Sequence, residues 1–156
     1  MWTHIKNISG LDLYVSFDDN KIYGISSEMP RGVLLEALPE HFSYIGEYLA
    51  DHTKQPMIFE ALADFDLSWT TDFQLRVYKA LALVPCGKTV TYGELAALAG
   101  SPKASRAVGS AMSNNRFLIA IPCHRVTAAG NKLGGFSSGI DNKIKLLSSE
   151  GIHDLR

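Results

Sequence analysis

The chain has 156 residues, 15 Lys/Arg against 16 Asp/Glu, a net charge of -1 at pH 7 and a hydrophobic fraction of 46%, the composition of a water-soluble folded domain. No apolar run is long enough to span a bilayer and Met1-Trp2-Thr3-His4 has no secretory pattern. The expected location is therefore cytoplasmic, with Cys86 and Cys123 reduced and, without CxxC or HxxxH spacing, no structural zinc.

The charge is unevenly divided: residues 1–69 carry 4 Lys/Arg and 11 Asp/Glu, residues 70–156 carry 11 and 5. A basic second half in a nearly neutral chain points to a polyanion-facing surface there, with the acidic half turned away. Leu11 to Phe17 and Lys21 to Ser27 read as a β-hairpin around the turn residues Asp18-Asp19-Asn20. Leu34 to Ala50 places Leu38, Phe42, Ile45 and Leu49 at helical spacing, with Pro39 near the helix start. Met57 to Asp66 reads as a strand or a connector, and His41 and His52 as isolated, ordinary residues.

Thr71-Asp72-Phe73-Gln74 is a capping box opening a helix to about Leu83, ended by Pro85-Cys86-Gly87. Thr91-Tyr92-Gly93-Glu94 is a second capping box, launching a short helix that Gly100 stops. Ser101-Pro102 then reads as the N-cap and first position of another helix, making a helix-turn-helix candidate. On that second helix Ala104, Ala107, Val108, Ala111 and Met112 share one face. Lys103, Arg106, Gly109, Ser110 and Ser113 share the other, a cationic face of small residues able to press against nucleic-acid phosphates.

Ile121-Pro122-Cys123-His124-Arg125-Val126 follows an apolar run from Phe117 that reads as a buried strand or segment. Pro122 fixes a bend there, which is a way to present a thiol. Cys123 becomes a nucleophile if His124 or a cation helps it ionise, but sequence neighbours point apart, so contact requires a bend or a bridging water. The competing reading makes Cys123 a small buried hydrophobe, His124 a satisfied core histidine and Arg125 an internal clamp. Gly130, Gly134, Gly135 and Gly139 punctuate a loop carrying Phe136, Ser137 and Ser138. Asp141 to Glu150 reads as a last helix with Ile144 and Leu147 inward, stopped by Gly151.

Asp72-Phe73-Gln74, Thr91-Tyr92-Gly93-Glu94-Leu95-Ala96, Ser105-Arg106-Ala107-Val108-Gly109, Asn115 and Ile121 to Val126 occur in an order that resembles the O6-alkylguanine-DNA alkyltransferases. The resemblance covers Thr71 to Gly151. It implies an α/β N-terminal ribonuclease-H-like domain over 1–69 and a mainly α alkyltransferase domain over 70–156 with a DNA-binding helix-turn-helix. It also implies direct-reversal DNA repair by a suicide methyltransferase: the base is flipped and its alkyl group passes once to Cys123, from O6-alkylguanine, with O4-alkylthymine as a second candidate.

By the same resemblance His124, through a water, and Glu150 withdraw the thiol proton, Asn115 holds the network, and Tyr92 donates to guanine N3. Arg106 intercalates into the duplex, with Lys103, Gly109, Ser110 and Ser113 on the DNA. Val126, Phe136 and Ser137 line the base pocket, the Cys123 and Val126 backbones reading the exocyclic amine and the Ser137 amide sitting near O6. Arg125 braces the fold. The partner is double-stranded DNA approached through the minor groove by a monomer, with no cofactor, metal or membrane. Phe136 and Ser138 depart from a frequent Tyr and Gly, and Arg116 from a frequent Pro. A recognition-only binder, a cysteine-sensing transcription factor and a cysteine hydrolase are the alternatives.

Overall fold

The computed structural model describes residues 1–54 and 59–156. Three antiparallel strands open the chain: β1 (Trp2–Lys6), β2 (Asp12–Phe17) and β3 (Ile22–Ser26), in that order across the sheet. The hairpin is the expected one; β1, which pairs Trp2 with Ser16 through Lys6 with Asp12, adds the strand that the sequence reading lacked. Alternation along β2 puts Leu13, Val15 and Phe17 on the buried face, as a sheet with one dry side requires.

The helix expected from Leu34 starts later. Pro39 caps a 3₁₀ turn, Glu40–Phe42, and α1 runs Ser43–Ala50, because the proline ends any helix reaching back through it. Leu34 is 86% exposed, whereas Phe42, Ile45 and Leu49 are buried. Of the strand or connector read over Met57 to Asp66, residues 57 and 58 lie outside the described residues, and Phe59–Asp64 forms a 3₁₀ helix.

Both capping boxes are made in full. Thr71 and Gln74 close one on α2 (Asp72–Ala82); Thr91 and Glu94 close the other on α3 (Tyr92–Leu98), which follows the short strand β4 (Val90–Thr91). Each cap is worth about 1 kcal/mol to its helix. The next helix, α4 (Ser105–Ser113), begins three residues after the expected start at Pro102, with Ala104 and not Ser101 at the N-cap. Ser101 accepts from Ala104 N–H in a separate turn, so Pro102 and Lys103 precede the helix. Val108, Ala111 and Met112 are its buried side, while Ala107, expected there, is exposed.

Phe117 to Ile121 is buried but irregular. It docks on the sheet edge through Ile25 N–H to Arg116 O (2.8 Å) and Leu118 N–H to Ile25 O (3.1 Å), and Phe117 stacks on Phe65 with ring centroids 4.9 Å apart. A 3₁₀ turn, Cys123–Arg125, leads into β5 (Val126–Thr127), parallel to β4 with Val90 opposite Val126. The last helix, α5 (Ile140–Ser149), buries Lys143, Leu146 and Leu147. Ile144, expected inward, is 43% exposed; Lys143 takes the inward position instead. One apolar core joins the sheet, α1, α2, α3, α4 and the segment before Cys123. Among the described residues no helix is long and apolar enough to cross a membrane.

Candidate active site

Two local devices deliver Cys123. Pro122 (φ -78°, ψ 64°) forms an inverse γ-turn in which Cys123 N–H donates to Ile121 O at 2.7 Å. Asn115 ties both ends of the preceding segment: its Nδ2 donates to Ile121 O (2.9 Å) and its Oδ1 accepts Phe117 N–H (2.9 Å). Between these ties Ile119 is held at φ 70°, a left-handed conformation a β-branched residue adopts only under constraint.

The thiol is 5% exposed. Burial raises its pKa, and a hydrogen bond from Asn115 and the Lys143 charge only partly offset this. Cys123 is therefore a thiol and not a standing thiolate at neutral pH, and any nucleophilic chemistry needs a base. Two cavities meet at it. One, of about 230 Å³, is lined by Tyr92, Gly109, Met112, Ser113, Gly135, Phe136 and Ser137; the other, about 540 Å³, lies toward the β3 end at Ser26, Ser27 and Glu28, with Asn115 and Ser138.

Behind the thiol lies a dry ionic network. His124 Nε2 is 2.5 Å from Glu150 Oε2, and both side chains have no exposed surface. Arg125 grips the same carboxylate, Nε to Oε1 at 2.9 Å and a terminal nitrogen to Oε2 at 3.2 Å, and its other terminal nitrogen donates to Val84 O at 2.9 Å. Gly87 N–H adds a donor to Oε1 at 3.0 Å. Burial pushes the Glu150 carboxyl upward, but His124, His52 and Arg125 hold it well below the usual carboxylate range. Burial also brings His124 down to about 4, against the pull of Glu150.

These directions fix a tautomer. An ionised Glu150 only accepts, so the hydrogen of neutral His124 sits on Nε2 and Nδ1 is a free base. Among the described residues His124 Nδ1 is buried without a hydrogen-bond partner. His124 is thus not the satisfied core histidine of the competing reading.

Tyr92, Gly109, Ser113, Cys123, Phe136 and Ser137 converge on the smaller cavity. His124 and Glu150 form the network, and Asn115 anchors the segment. Val126 is buried at the start of β5. Arg106 and Ser110 are exposed on α4 outside the cavity, and Lys103 is exposed in the turn before it.

Two residues escaped the sequence reading. Lys143 is fully buried, its ammonium donating to Val126 O (2.6 Å) and Gly135 O (3.1 Å) and facing the Phe136 ring at 6.0 Å. Burial lowers its pKa to about 8. The available signal was a cation at helical spacing with Leu146 and Leu147. His52, read as ordinary, is 1% exposed with its Nε2 3.3 Å from Glu150 Oε2. No local pattern links residues so far apart in the chain. Among the described residues, His52, His124 and Glu150 are the metal-ligand types that come together, with ligand atoms within 4.8 Å of one another. Cys86 is half-buried beside Glu150 and Arg125, and burial raises its pKa.

A family model described as the DNA-binding domain of 6-O-methylguanine DNA methyltransferase matches residues 72–152, more than half of the chain. The chain belongs to the 6-O-methylguanine DNA methyltransferase family. A methylated-DNA–protein-cysteine methyltransferase of Methanosarcina acetivorans is 42% identical over 119 residues, 73% of this chain and 76% of its own length. One from Methanosarcina mazei is 52% identical over 80 residues, 51% of each chain. The crystal structure of the Mycobacterium tuberculosis O6-methylguanine methyltransferase superposes with a TM-score of 0.70 at 30% identity, covering 96% of this chain and 93% of that one. Within this methyltransferase-family chain, the matched region contains Tyr92, α4, Cys123 to Val126 and Glu150, whereas His52 and the three-stranded sheet lie outside it.

Proposed function

We propose that the protein repairs alkylated DNA by moving one alkyl group from O6-alkylguanine to the Sγ of Cys123, and is consumed in doing so; O4-alkylthymine is the second candidate substrate. The observation that carries this reading is the free Nδ1 of His124, a buried base whose tautomer Glu150 fixes, adjacent in the chain to a protonated thiol at the mouth of a cavity.

The steps follow from this chemistry. Cys123 passes its proton through a bridging water to His124 Nδ1, and Glu150 stabilises the imidazolium. Sγ attacks the alkyl carbon in line, the carbon–O6 bond breaks, and the leaving purine carries the electron pair. Tyr92, in the same cavity, donates to guanine N3 as that charge develops. The Cys123 and Val126 backbones read the exocyclic amine, the Ser137 amide lies near O6, and Phe136 covers the base. Asn115 keeps the thiol segment in place. The thioether product does not turn over, and no cofactor or metal is required.

Reaching a stacked base requires extrusion. In this reading α3 and α4, joined by a turn in which Gly100 adopts φ +85°, form a helix-turn-helix. It enters the minor groove of double-stranded DNA, where Gly109, Ser110 and Ser113 allow close approach and Lys103 meets phosphate. Arg106 fills the space the base leaves. The ribonuclease-H-like character of residues 1–69, the boundary at 69/70, the monomeric state and the cytoplasmic location belong to the same proposal.

The test is intact-protein mass after incubation with a duplex holding one O6-methylguanine. A gain of one methyl, about 14 Da, limited to one per molecule and absent from Cys123→Ala, is expected for a self-alkylating nucleophile. Lesion binding with no mass change would make the protein a recognition-only binder.

A further inference from the structure

His52 lies far from the motifs that carry the reaction, yet its environment is as constrained as theirs. Asn7, between β1 and β2, accepts Ser9 N–H on Oδ1 at 2.8 Å, which fixes the orientation of its amide. The Nδ2 end then donates to Leu49 O at 2.6 Å and faces His52 Nδ1 at 3.1 Å. A side-chain amide nitrogen can only donate, so His52 Nδ1 is the acceptor and the ring hydrogen sits on Nε2. That Nε2 lies 3.3 Å from Glu150 Oε2 and 3.3 Å from Ser149 Oγ, whose own hydrogen goes to Leu146 O. The ring meets His124 edge-on, centroids 5.8 Å apart.

We infer that His52 is a positioning residue of the alkyl-transfer reaction: through its Nε2–H it holds the Glu150 carboxylate as a pure acceptor, and so keeps His124 in the tautomer with Nδ1 free. The inference rests on the function proposed above. Its consequence is that the acidic half of the chain, through Asn7 and His52, completes a relay otherwise built from the second half. Glu150 Oε2 accepts from His124 and Arg125 and has His52 Nε2 3.3 Å away, its hydrogen shared with Ser149 Oγ, while Oε1 accepts from Arg125 and Gly87. Tyr48 from α1, Cys86 and Arg125 line the cavity of about 190 Å³ that His52 also borders. The same histidines and carboxylate are metal-ligand types, but the Arg125 guanidinium on the carboxylate already supplies the positive charge that a cation would bring.

The experiment compares native protein, His52→Leu and His52→Gln in single-turnover methyl transfer from an O6-methylguanine duplex between pH 5 and 9, beside melting temperature and affinity for unmodified duplex. Loss of an outer hydrogen-bond partner is expected to slow His52→Leu about ten-fold, the lower end for such partners in metal sites. The acid limb of its rate profile should move to higher pH, because a less occupied Glu150 holds the His124 proton more tightly. His52→Gln, whose amide reaches the Nε2 position, should recover most of both, and duplex affinity should not change. A His52→Leu rate per folded molecule equal to native, or a Gln variant no better than Leu, overturns the inference.

Should the variants not fold, the ring nitrogens of native His52 are read by long-range ¹⁵N–¹H correlation with no substrate present. An Nε2–H tautomer is expected, and an Nδ1–H tautomer overturns the proposal. Failure of native protein to take up methyl refutes the function and leaves the tautomer result standing separately.

Discussion

Replacing Arg125 by Met tests whether this arginine braces the fold or meets the DNA. Arg125 is 4% exposed and its side chain makes three hydrogen bonds, two to Glu150 and one to Val84 O. An exposed pair of this kind is worth under about 1 kcal/mol, but removing one partner of a buried pair strands the other charge at about 3–5 kcal/mol. Glu150 keeps donors from His124 and Gly87 and the His52 ring 3.3 Å away, which places the expected loss at the lower end, about 3 kcal/mol. For a chain of this length that lowers the melting temperature by roughly 10 °C. Urea unfolding followed by tryptophan fluorescence measures it. Adding Glu150→Gln to Arg125→Met should recover part of the loss, since no unpaired charge is then buried. Affinity for unmodified duplex and its salt dependence should not move. A loss below about 1 kcal/mol, or a shallower salt slope, would refute the internal-brace reading.

Lys143 makes stability pH-dependent. Burial holds its pKa at about 8 against an ordinary 10.5, so between those values the unfolded chain binds more protons than the folded one. Stability therefore rises with pH through that window, by about 3 kcal/mol, a rise missing from Lys143→Met; parallel curves for the two proteins would contradict it. Gly134 sits at φ +71°, and a Cβ there would lie 2.9 Å from the Tyr92 hydroxyl. Gly134→Ala is expected to displace Tyr92 and slow methyl transfer at least ten-fold with duplex affinity kept, a loss confined to k for transfer in stopped-flow.

What the sequence disclosed was local. The capping boxes at Thr71 and Thr91, the hairpin turn at Asp18 to Asn20 and the glycine after α5 are short-range devices, and each stands where its pattern put it. The errors came where tertiary contacts outvote local signals. Ser101-Pro102 has the chemistry of a helix start, but its turn closes on Ala104 and the helix waits until Ser105. Periodicity admits either Ile144 or Lys143 as the inward residue of α5, and two carbonyls that accept from its ammonium, Val126 O and Gly135 O, favour the lysine. His52 had no signal, since its partners are Asn7 and Glu150 and nothing in the intervening sequence records that they meet.

The same burial that costs stability explains how such a site keeps itself for one reaction. A low-pKa, accessible thiolate is the form that oxidants consume first. Here the thiol is shielded, burial outweighs the pull of Asn115 and Lys143 on its proton, and the imidazole proposed as its base is held neutral, so the resting protein keeps the proton on sulfur. In the proposed reaction a flipped base closing the smaller cavity would bring the electrophile and exclude bulk water together, and only then would proton withdrawal lead to a bond. In the proposed reaction Glu150 serves both this relay and the Arg125 brace, and it is met from three separate segments: the loop after α2 through Gly87, the turn after Pro122 through His124 and Arg125, and α1's C-terminal flank through His52. In the proposed reaction the alkyl group stays on Cys123 and only the repaired duplex leaves, so the buried carboxylate network does not have to open to pass a product.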